Sequence, residues 1–224
     1  MFQDDRPPSP KAGRDLTLLL ARRISKTENE TRRNFDGQPH PRNQGHKRQH
    51  LTVINTNDSG AGSLRQAILS ANTNVGTDTI NFNIPGTGVH TITLASDLPA
   101  ITDPVIIDGY TQPGATQNTL AVGENAALRI EVNGNSKGGF HIITGGDGST
   151  IKGLVLNRFG CDVAGICGAV KLRSNNNVVS GNFIGTDVGG DVDLFVNTQD
   201  SNIFFEGKIP QSLTHDRALC RCLF

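Results

Sequence analysis

The sequence predicts an all-β chain, a right-handed parallel β-helix (single-stranded solenoid) over about residues 51–207 with a short N-terminal capping α-helix near residues 63–72. Three observations carry that expectation. Short strand-like runs follow one another from Leu51 onward, broken by Gly, Asn and Asp. Apolar positions recur at a fixed spacing: Phe82, Val105, Leu128 and Ile151 lie 23 residues apart, and so do Ile84, Ile107 and Ile130. A period of that size marks a solenoid, in which each coil stacks its inward side chains on the next. Composition agrees: with 26 Gly, one Tyr and no Trp, the chain is short of large core residues and suited to a narrow aliphatic core.

Residues 1–50 precede the repeat. They carry 11 Lys/Arg against 6 Asp/Glu, whereas residues 51–224 carry 10 against 15. The mixed charges lack interleaved aromatics, so the segment reads as a disordered basic tail and not as a nucleic-acid-binding arm. The apolar run Leu16–Ala21 is shorter than a signal-peptide core, and no stretch approaches the ~20 apolar residues that span a bilayer.

At Leu51 the pattern changes. "LTVI" alternates as a strand does and ends in the turn Asn57–Gly60. "GSLRQAILSAN" follows as a helix, with Leu64, Ala67, Ile68 and Ala71 forming one apolar stripe. Ser63 with Gln66 makes a capping-box pattern. The remaining strand runs are "TINFNIPG", "HTITLAS", "PVIIDG", "LRIEVNG", "FHIITG", "TIKGLVLN", "AVKLRS", "NVVSGNFIG" and "SNIFFEG". Residues 111–127 read as an inserted loop that interrupts the 23-residue spacing, and the following coil reads as longer, with Val179 lying 28 residues beyond Ile151. Asp108-Gly109, Asn133-Gly134, Asn157 and Asn175–Asn177 read as corners, because Asn, Asp and Gly tolerate the left-handed backbone of a sharp turn. Residues 208–224 lose the alternation and read as an irregular, truncated or frame-altered tail.

"TVINTNDSGAGSLRQAI", with "DTINFNIPG" and "LPAITDPVIIDGYTQPG", resembles the opening of bacterial secreted or surface proteins with right-handed β-helix repeats. These are pectin-lyase-like solenoids entered through a CSLREA-type motif. Here Ser63 takes the Cys position and Gln66 the Glu position, and both changes keep the helix cap. The resemblance spans about residues 51–207 and implies an extracellular or cell-surface setting and a polysaccharide or cell-surface protein as partner. It identifies no reaction.

The same resemblance brings polysaccharide lyases and glycoside hydrolases into consideration. Polygalacturonase-like enzymes carry clustered Asp residues and a Gly-His-Gly motif, and His141 in "GFHIITG" does not match it. A calcium-dependent lyase needs carboxylates around a hard cation and a nearby Arg or Lys to take the proton α to the sugar carboxylate. The low-ranking catalytic candidates are Asp108, Glu131, Arg129 and Lys152. On the 23-residue register Asp108 and Glu131 fall on neighbouring coils about 5 Å apart, with Arg129 and Lys152 in an adjacent outward column. The plainer reading is ordinary cross-strand ion pairing. Asp187, Asp191 and Asp193 form a second acidic group with calcium as its conceivable ligand, and a solvated loop as the plainer reading.

Of the four cysteines, Cys161 and Cys167 flank a short loop and could pair in a secreted chain, while Cys220 and Cys222 lie near the end. None has the spacing of a common zinc site. The leading expectation is a noncatalytic β-solenoid scaffold or contact module of an exported bacterial protein. The alternatives are a carbohydrate-active enzyme and a nonfunctional gene fragment.

If residues 1–50 are undocked, trypsin should cut early at Arg22, Arg23, Arg32 and Arg33 and leave a folded remainder beginning near Leu51. Lasting protection of those four arginines would show a docked segment instead.

Overall fold

The computed structural model describes residues 48–192, 194, 203–205 and 213–214. The chain divides into two units, Met1–Gly45 and His46–Phe224, and the described residues all belong to the second. The tail expected over residues 1–50 therefore lies, up to residue 47, outside the described residues, as do Cys220 and Cys222.

Strand β1 (His50–Val53) is followed by helix α1 (Leu64–Ala71), then β2 (Asp78–Phe82), β3 (His90–Thr93) and β4 (Val105–Asp108). After a single 3-10 turn at Gly109–Thr111 come β5 (Ile130–Asn133), β6 (Phe140–Ile142), β7 (Thr150–Lys152), β8 (Val155–Asn157) and β9 (Val170–Leu172). The series ends with β10 (Val178–Ser180), β11 (Phe183–Ile184), β12 (Ile203–Phe205) and β13 (Leu213–Thr214). The protein is thus built mostly of strands, and every pairing between these strands is parallel.

The strands make three sheets, ordered β1-β2-β4-β7-β10-β13, β11-β8-β5-β3 and β12-β9-β6. From β4 onward the chain visits the six-, four- and three-stranded sheets in that order three times, then returns to the first at β13. An earlier cycle starts with β2 and β3, and Ile101, bridged in parallel to Ile142, fills its third position.

In-register pairing stacks aliphatic side chains into columns. Leu51, Ile80, Ile107, Ile151 and Val179 align across the six-stranded sheet. Ile92, Val132, Leu156 and Ile184 align across the four-stranded sheet. Phe140, Val170 and Ile203 do so across the three-stranded one. Apart from the partly buried Leu51, these belong to one continuous core. Each fully buried aliphatic side chain contributes about 1.5–3 kcal/mol relative to exposure.

The expected 23-residue register does not survive, whereas the 28-residue step from Ile151 to Val179 does. Ile107 pairs with Ile151, and Ile151 with Val179, so the step is wide and then narrow. Hydrogen bonds that cross the same strands span 44 residues from Val105 to Ser149 but 28 from Ser149 to Asn177. The wide step contains the insertion, whose ends are joined by an antiparallel bridge between Thr116 and Ala127. Because a longer loop costs little extra closure entropy and leaves the ladder it joins unchanged, it can lengthen one step without disturbing the columns. Leu128, expected in the core column, instead joins Val155, Phe183, Tyr110 and Ala126 in a separate apolar cluster.

The corners follow expectation in part. Among the described non-glycine residues the left-handed conformation falls on Asn176, within the expected Asn175–Asn177 corner, and on Asn135, Ser136 and Arg158, and not on Asn133 or Asn157, which end their strands. Gly109 and Gly134 lack positive φ and are required for a different reason, which is close approach. A Cβ on Gly109 would lie 2.1 Å from the Gly153 carbonyl oxygen, and one on Gly134 would lie 2.6 Å from the Phe159 ring.

Helix α1 forms for the reasons read from its sequence, with one arm of its cap missing. The Ser63 hydroxyl accepts from the Gln66 N–H at 3.2 Å. The Gln66 amide does not reach back and donates to the Ser70 hydroxyl instead. Leu64, Ala67, Ile68 and Ala71 are all buried, in contact with the core that β1 and β2 help to build. Two polar side chains fasten the helix. Arg65 donates to the Asp58 carboxylate and to the carbonyls of Asp58, Ser96 and Asp97. The Asn72 side chain donates to the Ala100 carbonyl and accepts from the Thr102 N–H.

Two boundaries move. His50 already belongs to β1, so the first strand begins before Leu51. Leu213–Thr214, placed in an irregular tail by the sequence, pairs with Val179–Ser180 as a strand.

Ile68 is 1% exposed in this interface. Replacing it with Ala should cost about 2–5 kcal/mol in a urea titration, as buried aliphatic truncations do. Ile68→Asp should go further and abolish soluble expression. Near-wild-type stability of both variants would show that α1 does not seal the core.

Candidate functional site

The four residues proposed for a lyase site are dispersed by the true register. Asp108 ends β4 in the six-stranded sheet, opposite Asn81 on one side and Lys152 on the other. Its carboxylate accepts from the Lys152 ammonium at 2.8 Å and from the Tyr110 N–H at 3.1 Å. One oxygen thus caps the 3-10 turn while the other pairs with the neighbouring strand. Asp108 and Lys152 are brought together, but as an in-register ion pair.

Glu131 lies in the four-stranded sheet, opposite Thr91 and Val155, and not next to Asp108 as the 23-residue spacing required. Both of its oxygens are engaged. One accepts from the Thr91 hydroxyl at 2.6 Å; the other accepts from the Asn157 amide at 2.8 Å and meets the Arg158 guanidinium at 3.5 Å. Asn157 is itself buried and donates also to the Thr186 carbonyl, tying three successive levels of chain together. Arg129 donates through Nε to the Gly114 carbonyl at 3.0 Å and so braces the start of the insertion. Both oxygens of each carboxylate are thus engaged with the protein's own groups.

The second acidic group is a self-capped turn. One Asp187 carboxylate oxygen accepts from the N–H groups of Gly189, Asp191 and Val192. The bond between the backbones of Asp187 and Val192 closes the same loop. These backbone donors, that of Val192 foremost, hold the Asp187 carboxyl below the ordinary value for Asp. Asp193 lies outside the described residues. Among the described residues, no three His, Cys, Asp or Glu side chains converge in a way that could hold a metal ion. His141 sits on β6 in register with Lys171 of β9.

Sequence reasoning missed the most enclosed ionic pair described. Lys171, in the middle of β9, is 1% exposed and its ammonium lies 2.5 Å from the Asp162 carboxylate. The other Asp162 oxygen accepts from the N–H groups of Ala164 and Ile166. Cys161 and Cys167 are joined by a disulfide that closes this loop. "VKL" reads as a strand with a solvated lysine, and nothing local in the sequence announces the aspartate that covers it. A parallel case is Asp58, whose partner Arg65 lies on the helix.

Burial pushes both the Asp58 and Asp162 carboxyls up. That push is outweighed by the bond to Arg65 in one case and to Lys171 in the other, together with backbone N–H donors, so both end below the ordinary Asp value. No family model, curated protein or solved structure matches this chain. Among the described residues, no helix is long and apolar enough to cross a membrane.

The depressed carboxyls set a sign for pH dependence. Their contribution to stability is complete above the unfolded Asp value of 3.8 and disappears as pH falls through the lower folded values. Urea midpoints measured from pH 6 down to about pH 2 should therefore fall on the acid side. The fall should be shallower in Asp162→Asn, which carries no titrating group there. An unchanged acid limb in that variant would remove Asp162 from the account.

Proposed function

We propose that this chain is a noncatalytic right-handed parallel β-helix, serving as a scaffold or contact module of an exported or surface-associated bacterial protein. The cyclic order in which the chain visits three parallel sheets supports the β-helix. Right-handedness follows from the strong preference of parallel crossovers for that hand. The likeness of the entry segment to secreted bacterial β-helix proteins supports the setting, and so does a disulfide, which persists in oxidising compartments.

One observation carries the noncatalytic reading: the candidate carboxylates are occupied in holding the fold. Asp108 pairs with Lys152 and caps a turn. Glu131 bonds side chains on the levels before and after it. Asp187 caps its own loop. A catalytic carboxylate or calcium ligand must instead present a lone pair to substrate or ion. In the scaffold reading, stacked strands offer outward residues as a regular surface for polysaccharides or cell-surface proteins.

The purified chain should release no unsaturated uronate absorbance from acidic polysaccharides in the presence of calcium. A reproducible calcium-dependent signal, lost in both Asp108→Ala and Arg129→Ala, would replace the scaffold with a lyase.

A further inference from the structure

We propose that the Cys161–Cys167 disulfide is a redox-sensitive latch that keeps Lys171 shut away from solvent. Lys171 is on the central strand of the three-stranded sheet, with His141 and Phe204 opposite it on either side. Its neighbours in sequence, Val170 and Leu172, belong to the core, so alternation turns the lysine outward. An outward lysine on a strand is ordinarily solvated, because burying an ammonium is costly unless it is paired. This one is buried because the loop between the two cysteines folds over it.

The loop closes tightly. Asp162 meets the ammonium with one oxygen and caps the loop turn with the other. Gly138 forms another wall: a Cβ there would lie 2.7 Å from the Asp162 Cβ and 3.1 Å from the Lys171 Nζ. Asp97 anchors both sides of this closure, accepting from the Gly138 N–H at 2.7 Å and from the Val163 N–H at 3.2 Å. Apart from these bonds and the backbone bonds within the loop, its tip stands in solvent. Val163, Ala164 and Gly165 are exposed, and Val163 packs on nothing. Cys161 is exposed too, so a small thiol reductant can reach the sulfur.

The disulfide joins residues six apart, directly across an antiparallel bridge. It limits how far Asp162 can swing away without unfolding anything else. Reduction by a dithiol would break the S–S bond, delivering two electrons and two protons to leave two thiols, while the dithiol closes to its own disulfide. The freed loop would then open as a local unit, uncovering an ammonium on the outward face of the sheet and leaving the columns beneath intact.

The test is amine acetylation of the intact chain with an N-hydroxysuccinimide ester, with and without a dithiol, read at each lysine by peptide mass spectrometry. Lys152, already partly exposed, serves as the internal reference. Reduction is expected to raise the rate at Lys171 roughly tenfold or more relative to Lys152, in line with loss of a short-loop constraint. Reoxidation should restore protection. The Cys161→Ser/Cys167→Ser double variant should label rapidly at Lys171 without any reductant, which separates this disulfide from reduction elsewhere in the chain. Equal labelling of Lys171 in the oxidised and reduced chain would overturn the proposal, since the hydrogen bonds of Asp162 alone would then suffice. So would a rise at all lysines together with loss of far-ultraviolet circular dichroism, because reduction would then be unfolding the whole structure.

Discussion

The structure depends on one constraint: every level of chain must place its aliphatic residues directly above those of the level before. Parallel pairing makes this possible, since each inward side chain meets the equivalent position of the next strand. A slip of one residue would turn an inward column outward. That penalty explains why Ile80, Ile107, Ile151 and Val179 stay aligned although the chain between them varies so much in length. It also explains why the core is rich in Ile, Val and Leu, whose shapes stack on a pleated surface.

Backbone groups at the bends leave the ladders and must find other partners, because an unpaired buried polar group costs about 1–3 kcal/mol. Side-chain amides supply many of them. Gln112 is buried and bonds the Ile84 backbone at both N–H and carbonyl. Asn182 does the same between the Leu154 N–H and the Ile151 carbonyl. Asn177 serves the Ser149 N–H, and Asn157 the Thr186 carbonyl. These residues tie adjacent levels where strand pairing stops. These four amides thus serve the continuity of the fold.

The same economy governs the charges. Lys152 sits opposite Asp108, Arg158 beside Glu131, Arg65 across from Asp58, and Lys171 beneath Asp162. The more exposed pairs add little stability, since water screens them. The buried Lys171–Asp162 pair is different in kind, because removing either partner strands a charge away from water. A loop closed by a disulfide and held by Asp97 is the means by which the chain keeps that pair together.

The strands, the helix stripe and the parallel all-β class were legible in the sequence because each depends on local order. Alternation in "TINFNI" and "HTITL", and the i, i+3, i+4, i+7 spacing from Leu64 to Ala71, report which side of an element is apolar without reference to anything distant. Ser63 as the helix cap was legible for the same reason. Apart from the step from Ile151 to Val179, register was not, because pairing is decided by which columns fill the core, and an insertion such as that closed by Thr116 and Ala127 leaves no mark on the strands it separates. The spacing that set Asp108 beside Glu131 therefore misled, and only the folded chain assigned them to different sheets. Likewise no local pattern joins Asn72 to Thr102 or Gly138 to Asp97. Those bonds exist because stacking brings distant levels within reach, and the sequence by itself does not say which levels will meet.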